Sequence, residues 1–242
     1  ETEGTVSPAS VVFTALNWDT PQTVTATGVN DPIDDGDVPY TIITAAAASL
    51  DGTYHGIKPA DASVTNTDND IAALIVAPIT GLVTTESGGE ASFTVKLQTQ
   101  PVNPITISVI SNNTDEGTVD KSSLTFNSTN WNTNQTVTIA GVDDDLVDGD
   151  IGYTITLSVT GGDTPYTSLD DIDISVTNND DDVAGVTINP TEINTSETGA
   201  FATFSLVLTS EPKHDVTISF SGVDNTEGSI DKSSVIFTSA NW

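Results

Sequence analysis

Three tryptophans set the period of this chain. Trp18, Trp131 and Trp242 stand 113 and 111 positions apart. Each closes the same phrase: Glu3-Gly-Thr-Val to Asn17-Trp18, Glu116-Gly-Thr-Val to Asn130-Trp131, and Glu227-Gly-Ser-Ile to Asn241-Trp242. Self-similarity at a fixed spacing means one structural unit used repeatedly. The boundaries carry their own mark, an acidic run followed by a fresh apolar segment: Thr67-Asp-Asn-Asp-Ile-Ala72 and, 112 positions on, Asn179-Asp-Asp-Asp-Val-Ala184. Residues 1–70 are therefore the later part of one repeat, 71–182 a complete repeat and 183–242 the earlier part of a third.

Within the complete repeat, apolar residues alternate along short runs: Phe93, Val95, Leu97; Ile105, Ile107, Val109; Val137, Ile139; Tyr153, Ile155, Leu157, Val159; Ile172, Ile174, Val176. A period of two marks strands with one buried face. The residues between are mostly Thr, Ser and Asn, and the connections hold Gly, Pro, Asn and Asp, the residues of turns. No helical stripe competes. About seven strands in a unit of roughly 100 residues predict an all-β fold of tandem immunoglobulin-like antiparallel sandwiches.

Charge decides which partners are open to such a chain. The 242 residues include 35 acidic and 5 basic ones, a formal net charge of -30. That field repels phosphate backbones and anionic membrane surfaces, which excludes nucleic acid as a partner. It also destabilises the compact state unless counter-ions bind. With no cysteine, disulfides, thiolate metal sites and cysteine nucleophiles are all out of reach. No run of 18 apolar residues exists, so no membrane insertion is expected. Glu1 is not a start residue, and the chain reads as a processed or excised piece without a signal peptide.

The acid is concentrated in loops. Gly141-Val-Asp-Asp-Asp-Leu-Val-Asp-Gly-Asp150 places five carboxylates between two strand-like segments, and Gly28-Val-Asn-Asp-Pro-Ile-Asp-Asp-Gly-Asp37 is its altered copy. Oxygen ligands on a flexible loop suit calcium best. The alternative is a solvated turn, for which Asp35-Gly36 and Asp148-Gly149 have the chemistry. The loop is no EF-hand: its sixth position, counted from Asp143, is Asp148 rather than Gly, and the closing Glu is missing. No nucleophile elbow, phosphate loop or His-Glu-x-x-His stretch is present, and the acids crowd into repeated loops, so no enzyme is expected. His55 and His214 lie at different repeat positions and make no shared imidazole site. The tryptophans either pack on their own sandwiches or serve as platforms for sugars.

Four phrases recur in an order met elsewhere: Thr85-Glu-Ser-Gly-Gly-Glu-Ala-Ser-Phe-Thr-Val-Lys-Leu97; Ile105-Thr-Ile-Ser-Val109 leading to Glu116; Val137-Thr-Ile-Ala-Gly-Val-Asp-Asp-Asp145 with Asp148 and Tyr153-Thr-Ile-Thr-Leu157; and Val176-Thr-Asn-Asn-Asp-Asp-Asp182. In these the complete repeat resembles the Calx-beta family, calcium-binding sandwiches that also occur as tandem modules in large extracellular proteins. The resemblance implies a calcium cluster at one end of the sandwich, built from Glu86, the loop residues Asp143, Asp144, Asp145 and Asp148, and the terminal run Asp180, Asp181 and Asp182. The family's usual phrase after the third strand is replaced by Val119-Asp-Lys-Ser122. In the first repeat Asn30 and Pro32 replace loop acids, leaving Asp31, Asp35 and Asp37, and Asn69 interrupts Asp68 and Asp70, so that site is expected to be weaker. The third repeat contributes Glu197 alone.

The expectation is a calcium-stiffened structural segment of a long extracellular or cell-surface adhesin or fibre, acting as an extender or filament building block. Its partners would be calcium and neighbouring repeats, of its own chain or of other copies, the tail of one copy completing the head of the next by strand addition. The alternative is an accessory module that binds a glycan or a surface protein.

Overall fold

The computed structural model describes residues 2–242. In the first part-repeat β1 (Gly4–Ser7) pairs with β2 (Thr25–Gly28), and β3 (Val38–Ile42) with β4 (Ala62–Asn66), both antiparallel. The complete repeat follows as β5 (Leu74–Ala77), β6 (Leu82–Thr85), β7 (Glu90–Leu97), β8 (Ile105–Ser111), β9 (Gly117–Val119), β10 (Ser123–Phe126), β11 (Gln135–Gly141), β12 (Ile151–Gly161), a one-turn helix α1 (Thr164–Thr167) and β13 (Ile172–Asn179). In the third part β14 (Val186–Asn189) pairs with β15 (Ser205–Leu208), and β16 (Val216–Ser219) with β17 (Ser234–Phe237).

Two sheets face each other in the complete repeat, ordered β10-β8-β12-β13-β6 and β5-β7-β11-β9. The alternating residues meet between them: Phe93, Val95, Leu97, Ile105, Ile107, Val137, Ile139, Ile155, Leu157 and Ile174 are all essentially sealed from solvent. Each such side chain contributes roughly 1.5–3 kcal/mol by leaving water. Val159 and Ile172 pack half-buried at the edge of this core. So does Trp131, whose carbonyl accepts the Leu97 N–H at 2.8 Å.

Nine strands stand where about seven are expected, and one of the additional strands arises because the opening strand is divided between sheets. β5 runs antiparallel to β7, the chain crosses through Pro78 to Gly81, and β6 then lies parallel to β13 in the other sheet. This one parallel pair departs from the antiparallel pattern expected, and it positions the site. Its register sets Thr85 opposite Asn179, so the residue after each strand, Glu86 and Asp180, emerges at the same end of the same sheet. On the other side of β13, Ile151 pairs with Asn178, which brings the end of the acidic loop to that corner as well.

Candidate cation site at the repeat junction

Three segments converge at this corner. Carboxylate oxygens of Glu86, Asp180 and Asp182 all lie within 4.8 Å of one another. Glu86 is only 3 % exposed. Loss of water, first, and the charges of Asp180, Asp144 and Asp148 together raise its pKa from 4.5 to about 7, against a hydrogen bond from Asp181 that lowers it. Burial also raises Asp182, aided by Asp180, Asp145, Asp181 and Asp144. Asp180 moves the other way, held low by hydrogen bonds from the N–H groups of Gly149 and Asp182. One oxygen each of Asp148 and Asp182 is buried with no hydrogen-bond partner.

No lysine offsets these charges directly. The two ion pairs among the described residues are Lys58 with Asp61 and Lys121 with Asp120, both elsewhere. Lys213 of the next repeat acts on Asp180 only at longer range. The replaced phrase after β9 adds no ligand here, since Asp120 accepts from Lys121 at 2.6 Å and from the Thr138 N–H at 2.7 Å. Crowded carboxylates, two of them with orphaned buried oxygens, fit a hard cation that takes six to eight oxygens.

The loop is shaped by its own backbone. Asp144 accepts the Leu146 N–H at 2.7 Å, and Asp180 accepts those of Asp148 and Gly149 at 3.1 and 2.7 Å. Gly149 has φ 83, and Gly36 at the same place in the earlier copy has φ 76, a left-handed conformation that glycine adopts without strain. The turn chemistry read from the sequence is therefore present, and it aims the turn's N–H groups at the terminal Asp run.

The first junction reproduces this geometry. Asp31 accepts the Ile33 N–H at 2.9 Å, Asp68 accepts that of Gly36 at 2.8 Å, and Asp70 N–H reaches Asp68 at 2.8 Å, matching Asp182 N–H to Asp180 at 2.8 Å. Asn30 and Pro32 thus leave the loop conformation intact. Here the clustered oxygens belong to Glu3, Asp31 and Asp35, and Asp68 and Asp70 line the same cavity of ≈ 220 Å³. Burial and the neighbouring acids raise Asp35 and Asp70.

Beneath each cluster sits a polar network that the sequence did not single out. Asn178, 1 % exposed, donates to Glu116 at 3.3 Å and to the Val142 carbonyl at 3.0 Å, and Thr84 bridges it to the Tyr153 hydroxyl. Asn66 repeats the pair with Glu3 at 3.2 Å and Val29 at 2.9 Å. The signal was the recurrence of Glu3 and Glu116 in the tryptophan phrase. Asp143 and Asp145 are exposed on the loop, Asp37 accepts the Asp68 N–H at 3.0 Å, and Glu197 is exposed in the third part.

No family model matches the chain, and no curated protein matches it in sequence. Among solved structures, the apo form of the Calx CBD1 domain is 15% identical, covering 47% of this chain and 100% of that one, with a TM-score of 0.37. Domains 4 and 5 of the S-layer protein SbsC are 16% identical over 74% of this chain and 100% of theirs, TM-score 0.32. The Salmonella enterica SafA pilin in complex with the SafB chaperone is 12% identical over 49% and 60%, TM-score 0.35. At these scores the likenesses carry no argument about binding or assembly. The fold and the junction geometry define the class, a tandem all-β sandwich segment with acidic clusters where its repeats meet.

Proposed function

We propose that the chain is a structural segment of a long extracellular or cell-surface protein, whose repeats are stiffened end to end by calcium. The observation that carries this is Glu86: a carboxylate 3 % exposed, facing Asp180 and Asp182, with no basic side chain paired to it. Such a group is costly in an empty site and fits one that holds a cation. Glu86, Asp180, Asp182 and the orphaned oxygen of Asp148 would be protein ligands of the complete repeat. Glu3, Asp31, Asp35, Asp68 and Asp70 would serve the first junction.

The position of the cluster gives the ion its mechanical role. Asp180 to Asp182 lead directly into the next repeat, so an ion held between them and Glu86 ties the linker to the sandwich. Loops that repel one another without calcium become a fixed joint with it. Outside cells, millimolar calcium fills sites of modest affinity, and a chain with no disulfide gains rigidity this way. The recurrence of the same sequence unit through β14 to β17 and Glu197 supports service as an extender or filament building block.

Calorimetric titration tests the reading. Calcium should bind in more than one step, and Glu86→Gln should remove or weaken the tightest; no heat of binding would overturn the proposal.

A further inference from the structure

The acidic loop has a second, apolar face. Ile33 is 8 % exposed, and it is the one buried hydrophobic residue among the described residues of the first part-repeat. Its side chain faces Thr99, Gln100, Val102 and Tyr166 of the next repeat, and together they line a cleft of ≈ 180 Å³.

The seat is held rigidly. Tyr166, on α1, accepts the Thr99 N–H at 3.1 Å and donates to the Thr99 carbonyl at 2.7 Å, while Asp163 accepts the N–H groups of Val102 at 2.7 Å and Asn103 at 3.0 Å. Two hydrogen bonds cross beside the knob: Gln100 N–H to the Pro32 carbonyl and Ala72 N–H to Asp34, each at 2.7 Å. The second junction repeats the first of these bonds, with Glu211 N–H on the Asp145 carbonyl at 2.6 Å and Leu146, half-buried, at the place of Ile33, while Val147 stands where Asp34 accepts. The knob is also wired to the cluster, because Asp31, which accepts the Ile33 N–H at 2.9 Å, is one of the three clustered acids.

We propose that this loop is a knob-and-socket joint: Ile33, or Leu146 at the second junction, seats on the following repeat, and a divalent cation held by Asp31 and Asp35 fixes the loop that presents it. The inference rests on the cation reading above for its second half only. Knob and socket occupy opposite ends of a repeat, so each junction passes one orientation to the next.

The absence of cysteine allows spin labels on Thr41→Cys and Thr125→Cys, exposed positions in the first and complete repeats, to report one inter-repeat distance. In calcium the distribution should be narrow. Ile33→Ser should at least double its width, and Ile33→Leu, the residue of the second junction, should keep it narrow; an Ile33→Ser distribution as narrow as the parent overturns the joint. A width unchanged by chelator, in a chain that calorimetry shows to bind calcium, overturns the coupling to the ion. A chain that binds no calcium overturns the cation reading instead, and Ile33→Ser still decides the knob.

Discussion

The N–H of Asp181 reaches Glu86 at 3.3 Å, and it is the one hydrogen bond given to that carboxylate among the described residues. A single long hydrogen bond does not offset the desolvation of a buried charge. Glu86 must therefore hold a proton or meet a cation. That choice organises the behaviour expected of the whole junction.

Replacing Glu86 with Gln separates its two states. In chelator the neutral amide removes the buried charge, so the melting temperature at pH 7.5 should equal or exceed that of the parent. In calcium the ranking should invert, with affinity at the complete repeat lowered about tenfold or more, equivalent to about 1.4 kcal/mol. Thermal melts with and without calcium check both halves.

The pH dependence follows in sign. Glu86 titrates at about 7 when folded against an ordinary 4.5, so between those values the folded state binds the extra proton. Its stabilising effect is complete below 4.5 and is lost as pH rises through 7. In chelator the complete repeat should melt lower at pH 7.5 than at pH 5.5. Calcium requires the ionised carboxylate, so its apparent affinity should rise across the same window, with proton release detectable by titration in buffers of different ionisation enthalpy.

Asn178 predicts a cost that calcium does not explain. Asn178→Ala leaves Glu116 and the Val142 carbonyl without their buried donor, a loss of about 1–3 kcal/mol. Urea unfolding should report it in chelator as well as in calcium. The same change at Asn66 should cost less, since that residue is more exposed.

The two junctions should be unequal. Glu86 has no counterpart within residues 1–70, where the cluster relies on Glu3, Asp31 and Asp35 around an open cavity. Asp35→Asn should abolish the weaker class of calcium sites in a titration and leave the tighter class unchanged.

Alternating apolar residues made the sandwich legible, because Phe93, Val95 and Leu97 or Ile105 and Ile107 point inward by strand geometry alone. Turn chemistry foretold Gly36 and Gly149. What stayed hidden depends on pairing across distant sequence. The parallel pairing of β6 with β13 is one such feature: no local pattern announces it, and the meeting of Glu86 with Asp180 is expected only through the Calx-beta resemblance. Asn178 lies in a run of Thr, Asn and Asp that reads as a strand end. Ile33 is an apolar residue in an acidic loop; its alignment with Leu146 was the available clue, but its seat belongs to another repeat.

Small-angle X-ray scattering of the chain in millimolar calcium and in chelator tests the central claim most directly. Stiffening of the junctions by calcium predicts a profile of a defined, extended rod with the ion and a broader, flexible profile without it. Superimposable curves at a calcium concentration that saturates the calorimetric titration would contradict it.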